Sequence, residues 1–190
     1  MSLLEEILDH NQTFVERKEY TQFLTDRVPN RGLVILTCMD TRLIELLPRA
    51  MNVRGGEIRI IKNAGAIVSH PFGSIMRSIL VAVYQLNATE LCVVGHHDCG
   101  MTGLDCGNIL EKAKAHGIPE STIETLKHSG IDLKKWLTGF DHVQEGVEKS
   151  VSIIRHHPLL PKNVPVHGLI MHPVTGKLDK VVDGYHVDKD

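Results

Sequence analysis

Two short stretches hold side chains that could do chemistry together: Cys38-Met39-Asp40-Thr41-Arg42 and His96-His97-Asp98-Cys99. Two thiolates and an imidazole suit zinc. Three protein ligands, Cys38, His96 and Cys99, would leave the fourth tetrahedral position open, the pattern of a catalytic site. Asp40 follows Cys38 by two residues and Arg42 follows Asp40 by two. In a roughly extended chain all three point to one side. Arg42 could then hold the Asp40 carboxylate through a two-pronged hydrogen bond. Asp40 would either accept a hydrogen bond from zinc-bound hydroxide or take the fourth position itself; the spacing allows both.

The stretches lie about sixty residues apart, so the fold must bring them together. GLVILTC (residues 32–38) is a short apolar, β-branched run, the pattern of a buried parallel strand. A helix is expected over residues 41–51, then a strand EIRIIK (57–62) ending in the small-residue loop NAGAI. Residues 71–86 read as an apolar helix with Ile75, Ile79, Val83 and Leu86 on one face, and ELCVVGH (90–96) as a third strand. A further helix is expected to begin near Cys99, whose thiol pKa its N-terminus would lower. Residues 107–140 are more polar and suit short helices. Asp141 is placed as the cap of another helix, and residues 164–186 read as a hairpin turning at Thr175-Gly176. Alternating strands and helices predict an α/β fold, a mainly parallel sheet flanked by helices. Cys38, Lys62 and His96 then sit at strand C-terminal ends, where open α/β sheets form ligand sites.

Duller readings apply to single residues. A lone cysteine at a strand end is more often core than ligand, and an Asp-x-Arg after a strand is often a cap with its ion pair. Cys92 reads as core and Cys106 as packing along the helix expected after Cys99. His97 could relay protons or bond to backbone. Asp98 could orient a neighbouring group or cap a helix. His156, His157 and His172 read as surface.

The chain has 190 residues, enough for one domain with a real core. Its formal net charge is -2 and 42% of it is apolar. No basic excess points to nucleic acid, and no basic amphipathic face or long apolar run to a membrane. Ser2-Leu-Leu-Glu5 has capping-box form, with Leu4, Ile7 and Leu8 at helical spacing, so residues 1–25 read as a helical arm able to pack on a partner. The start lacks the basic and apolar regions of a secretory signal. The expectation is a cytoplasmic protein whose four cysteines stay reduced.

Together the motifs resemble the signature of the β-class carbonic anhydrases, Cys-x-Asp-x-Arg followed by His-x-x-Cys-Gly. Here they stand as Cys38-Met-Asp40-Thr-Arg42 and His96-His-Asp-Cys99-Gly100, with Asn63-Ala-Gly65 between them. The similarity is to the short members of that family. It implies a single domain (1–190) with a parallel four-stranded core and an added strand. It further implies a homodimer, or dimer of dimers, whose N-terminal helix embraces its partner. Zinc ligands carry over to Cys38, His96 and Cys99, and the Asp–Arg pair to Asp40 and Arg42.

The implied reaction is reversible hydration of carbon dioxide to bicarbonate by zinc-bound hydroxide. Small residues at Gly65, Ala66 and Gly100 would leave room for the substrate. Alternatives are hydrolysis of carbonyl sulfide or carbon disulfide, which some short relatives perform, and a non-catalytic zinc- or anion-binding role. Many larger members carry a Gln shortly before the first strand, and residues 25–30 have none. Where members often have Arg before the Asn, this chain has Lys62, and Phe72 is the candidate pocket aromatic.

Overall fold

The computed structural model describes residues 1–186. Its centre is a five-stranded sheet in the order β2-β1-β3-β4-β5, formed by β1 (Leu33–Cys38), β2 (Arg59–Asn63), β3 (Glu90–His96), β4 (Val166–Met171) and β5 (Leu178–Val182). β1 to β4 run parallel, and β5 pairs antiparallel with β4. The chain moves outward from β1 to β2, then crosses back to lay β3 on the other side of β1. The order therefore reverses between β1 and β3, the switch point at whose C-terminal ends open α/β sheets form ligand sites.

The alternation of side chains along a strand divides the core. Val34, Leu36, Leu91 and Val93 face one layer, where they meet Met76 and Ile79 of α3 (Ser74–Gln85) and Val147, Val151 and Ile154 of α7 (Val143–Arg155). Ile35, Cys92 and Val94 face the other, against Leu43 and Leu47 of α2 (Leu43–Ala50); Cys38 and Cys99 belong to this second cluster. Gly95 lets α7 lie close on β3: a Cβ there would stand 2.7 Å from Val147 Cγ2.

α4 (Cys106–Ala115), α5 (Glu120–His128) and α6 (Leu133–Leu137) pack around Cys106, Ile123 and Leu133 as a small satellite core. α1 (Leu3–Glu16) has the expected capping box, with Ser2 Oγ accepting from Glu5 N–H and Glu5 Oε2 accepting from Ser2 N–H. It buries no residue, and Leu3, Leu4, Ile7 and Leu8 are exposed.

Several expectations need correction. No helix begins near Cys99. Asp98 adopts a left-handed φ of 54°, Thr102 bridges to Phe140, and Gly103 N–H donates to Phe140 O. That long-range pairing takes up the backbone, and α4 starts only at Cys106. Cys106 is buried as expected, but at the head of α4 rather than along a helix from Cys99. Helix α7 is capped at His142, not Asp141, without a side-chain bond. On α3, Met76 rather than Val83 or Leu86 is fully buried beside Ile79. His157 is buried, not surface: its Nδ1 accepts from Leu159 N–H, and its ring rests on Phe72 at 5.1 Å.

Candidate metal centre

β1 ends in Cys38 and β3 ends in His96 on adjoining strands, so the sheet itself sets their separation. The turn after β3 returns Cys99 to the same point. One ligand atom from each of Cys38, His96 and Cys99 falls within 4.8 Å of the others, and all three residues are buried. The two sulfurs stand 3.9 Å apart. Two thiolates about 2.3 Å from a tetrahedral zinc ion would be about 3.8 Å apart. The imidazole is set the same way. His96 Nδ1–H donates to the His97 carbonyl at 2.8 Å, which leaves the lone pair on Nε2. That Nε2 is buried with no hydrogen-bond partner among the described residues. A buried polar atom of this kind is costly unless something binds it. The donor set and its spacing fit zinc.

The protons of the pair are shared unequally. The hydrogen bond between Cys99 and Cys38, against the opposing effect of burial, holds the Cys38 thiol well below its usual range. Gly65 N–H adds a hydrogen bond to Cys38 Sγ at 3.3 Å. Cys99 is pushed far up by the Cys38 thiolate and by burial. For His96, burial favours the neutral ring, but Cys38 and the His97 carbonyl outweigh it and raise the pKa. Cys92, inside β3, is driven by burial up to about 12 and behaves as core.

Asp40 and Arg42 form the two-pronged pair: Arg42 Nε donates to Asp40 Oδ1 at 3.0 Å and Nη2 to Oδ2 at 2.8 Å. They do so from a turn, not an extended chain. Arg42 is helical (φ -62°, ψ -23°), and its backbone N–H also donates to Asp40 Oδ1. Arg42 thereby holds the Asp40 carboxyl at about 2. Asp40 Oδ2 lies 3.8 Å from His96 Nε2: beside the donor group but in the grip of Arg42.

Gly65 and Ala66 are buried in the turn after β2, both with positive φ. The Gly65 N–H serves the Cys38 sulfur. Gly100 is exposed, and no atom lies within 4 Å of its Cβ position. Phe72 is 70% exposed, and its ring neighbours are His70 and His157. His97 and His172 are exposed and edge-to-face at 6.2 Å, with His172 Nδ1 accepting from Val174 N–H. Lys62 is exposed on β2.

Two contacts were not foreseen. Arg42 also binds Asp98, through Nη1 to Oδ2 and Nη2 to the carbonyl, each at 2.9 Å. Asn63 Nδ2 ties down the Ile67 carbonyl at 2.6 Å and so closes the Gly65 turn. Asp98 stood between two candidate ligands, the one signal that could have pointed to it.

A family model for carbonic anhydrases matches residues 33–178. YtiB of Bacillus subtilis (strain 168), provisionally named a carbonic anhydrase, is 60% identical, with 98% of this chain and all of that one covered. Carbon disulfide hydrolase of Acidithiobacillus thiooxidans is 30% identical over 78% of this chain and 76% of its own. Among solved structures, β-carbonic anhydrase isoform I of Trichomonas vaginalis superposes with a TM-score of 0.88 at 37% identity, covering 97% of this chain and 100% of that one. With its sheet, its cysteine–histidine group and these relatives in agreement, the chain belongs to the β-carbonic anhydrase family.

Proposed function

We propose that the chain is a zinc enzyme that hydrates carbon dioxide reversibly: CO2 + H2O ⇌ HCO3⁻ + H⁺. The observation that carries this reading is that Arg42 holds Asp40 beside, not within, the Cys38–His96–Cys99 group. Three protein donors leave one tetrahedral position for a water. Zinc held there would act as a Lewis acid, lowering the pKa of a coordinated water toward about 7. Asp40, with a pKa of about 2, stays an acceptor across the working pH range. Its carboxylate would accept a hydrogen bond from the attacking oxygen and so orient it toward the substrate carbon. Arg42 fixes the carboxylate. The Gly65 N–H draws charge from Cys38, which offsets part of the electron donation of two thiolates. We assign the substrate's path to the surface around Gly100, with the Gly65-Ala66 turn as its floor.

The assembly and location follow as parts of the same reading. Residues 1–25 are the arm of a single domain and pack on a second copy, supported by the apolar stripe of Leu3, Leu4, Ile7 and Leu8, which is left exposed among the described residues. Four free cysteines suit the cytoplasm. No helix among the described residues is long and apolar enough to cross a membrane.

The test is stopped-flow CO2 hydration on protein of known zinc content, from about pH 6.5 to 9, either side of the water pKa near 7, with Cys38→Ser as control. Activity that rises with pH and vanishes in the control supports the reaction. Full zinc without activity anywhere in that range refutes it and turns attention to carbon disulfide and carbonyl sulfide, assayed as released sulfide. For the arm, Ile7→Asp with Leu8→Asp should halve the mass measured by light scattering; an unchanged mass would remove it from the interface.

A further inference from the structure

Arg42 is held from two sides. Its Nε and Nη2 go to the Asp40 carboxylate, and its Nη1 and Nη2 go to the Asp98 carboxylate and carbonyl. A guanidinium is a rigid plane with its donors at fixed angles. Fixing one edge of that plane therefore fixes where the other edge points. Asp98 is also placed with some care. It has a left-handed φ of 54°, between His96 and Cys99. Asp and Asn are among the few non-glycine residues that adopt this backbone readily. From here a short acid both lets the turn deliver Cys99 and reaches Arg42.

We infer that Asp98 is a positioning residue. It clamps Arg42 so that the guanidinium keeps Asp40 turned away from the cysteine–histidine group and leaves the fourth position to a small ligand. This rests on the function proposed above. Without the clamp Arg42 is free to tilt, and Asp40 has a short way to go, because its Oδ2 stands 3.8 Å from His96 Nε2. The Asp98 side chain is 84% exposed. Water and salt weaken such a pair, so the effect is a few-fold rather than a collapse.

The experiment uses the cobalt(II)-substituted protein as wild type, Asp98→Gly and Asp98→Asn, alongside the zinc forms for kinetics. Glycine keeps the left-handed backbone and the carbonyl acceptor and deletes only the carboxylate. Asparagine keeps an acceptor in the same place. The visible bands of cobalt report its ligands, and thiocyanate, the probe anion, alters them by occupying a coordination position. All three proteins should bind one cobalt per chain. Asp98→Gly should need roughly two- to fivefold more thiocyanate for half-saturation and lose kcat/KM for CO2 by a similar factor. Asp98→Asn should recover most of both. A glycine variant equal to wild type in the titration overturns the inference. So does an asparagine variant that falls as far, since charge rather than the hydrogen bond would then be responsible. A wild type that takes up thiocyanate but does not hydrate CO2 refutes the proposed reaction, and the titration alone then decides the role of Asp98.

Discussion

Substituting Gly65 with alanine should damage the molecule in a way that can be worked out from its turn. Gly65 has φ 75° and ψ 9°. An alanine in this left-handed region costs about 1–2 kcal/mol. Its Cβ would also lie 2.8 Å from Met101 Cγ and 3.1 Å from Met101 Cβ and Ile67 Cδ1. Met101 Cγ and Cβ lie near the root of that side chain rather than at its flexible end, so Met101 must shift, at a cost of about 1–3 kcal/mol. Alanine stiffens the unfolded chain and returns about 0.4–1 kcal/mol. The net expectation is a loss of about 1–5 kcal/mol. It should appear in urea unfolding of the metal-free protein as a lower midpoint with an unchanged slope. The same turn delivers the N–H that meets Cys38 Sγ at 3.3 Å, so zinc affinity should fall as well. A loss below about 1 kcal/mol would show that the turn is not fixed by Met101, and the argument from close approach would fail.

Three other outcomes follow from the geometry. In the metal-free protein at neutral pH, iodoacetamide should label Cys38, whose thiol the Cys99 hydrogen bond holds low, well before Cys92, driven by burial to about 12, and zinc should protect Cys38; peptide mass spectrometry reads the order, and equal labelling would contradict it. Asp40 has a folded pKa of about 2 against an ordinary 3.8, so its ion pair with Arg42 contributes fully above the ordinary value and is lost as pH falls toward 2. The urea-midpoint gap between metal-free wild type and Asp40→Asn should accordingly shrink over that interval, and a gap independent of pH would be inconsistent with the pair. Ser150 is 1% exposed and its Oγ accepts from Val68 N–H at 3.1 Å. Ser150→Ala strands that donor and should cost about 1–3 kcal/mol in the same assay.

The sequence was most legible where one local rule applied. β3 spans the expected Glu90–His96 because an unbroken apolar run ends at a charged side chain on one side and a turn on the other. β2 shifted to Arg59–Asn63. Glu57 is drawn into the preceding turn, where Arg54 N–H donates to its carboxylate, while Asn63 is recruited as the partner of Cys38. The cysteine–histidine group could be named from residue types and spacing, but its assembly depends on β1 and β3 being neighbours, which no local pattern dictates. The stretch after Cys99 misled because its backbone partners are Gly139 and Phe140, some forty residues away. His157 looked polar beside His156, and only the fold places Phe72 over it. The tie from Arg42 to Asp98 lay hidden for the same reason: it crosses from β1's turn to β3's.

Cys38 and Cys99 are 61 residues apart along the chain, and an ion held between them would act as a clasp as well as a reagent. For an unfolded polymer, closing a loop of that length costs about 4 kcal/mol in entropy, by the chain statistics used for disulfides. Whatever part of that constraint an ion retains in the unfolded chain disfavours unfolding; if the ion leaves as the chain opens, its binding energy does the same. The strands so joined are β1 and β3, the second and third of the five. A chelator would therefore unlace the molecule at its middle, and the chain's resistance to heat should track its metal content.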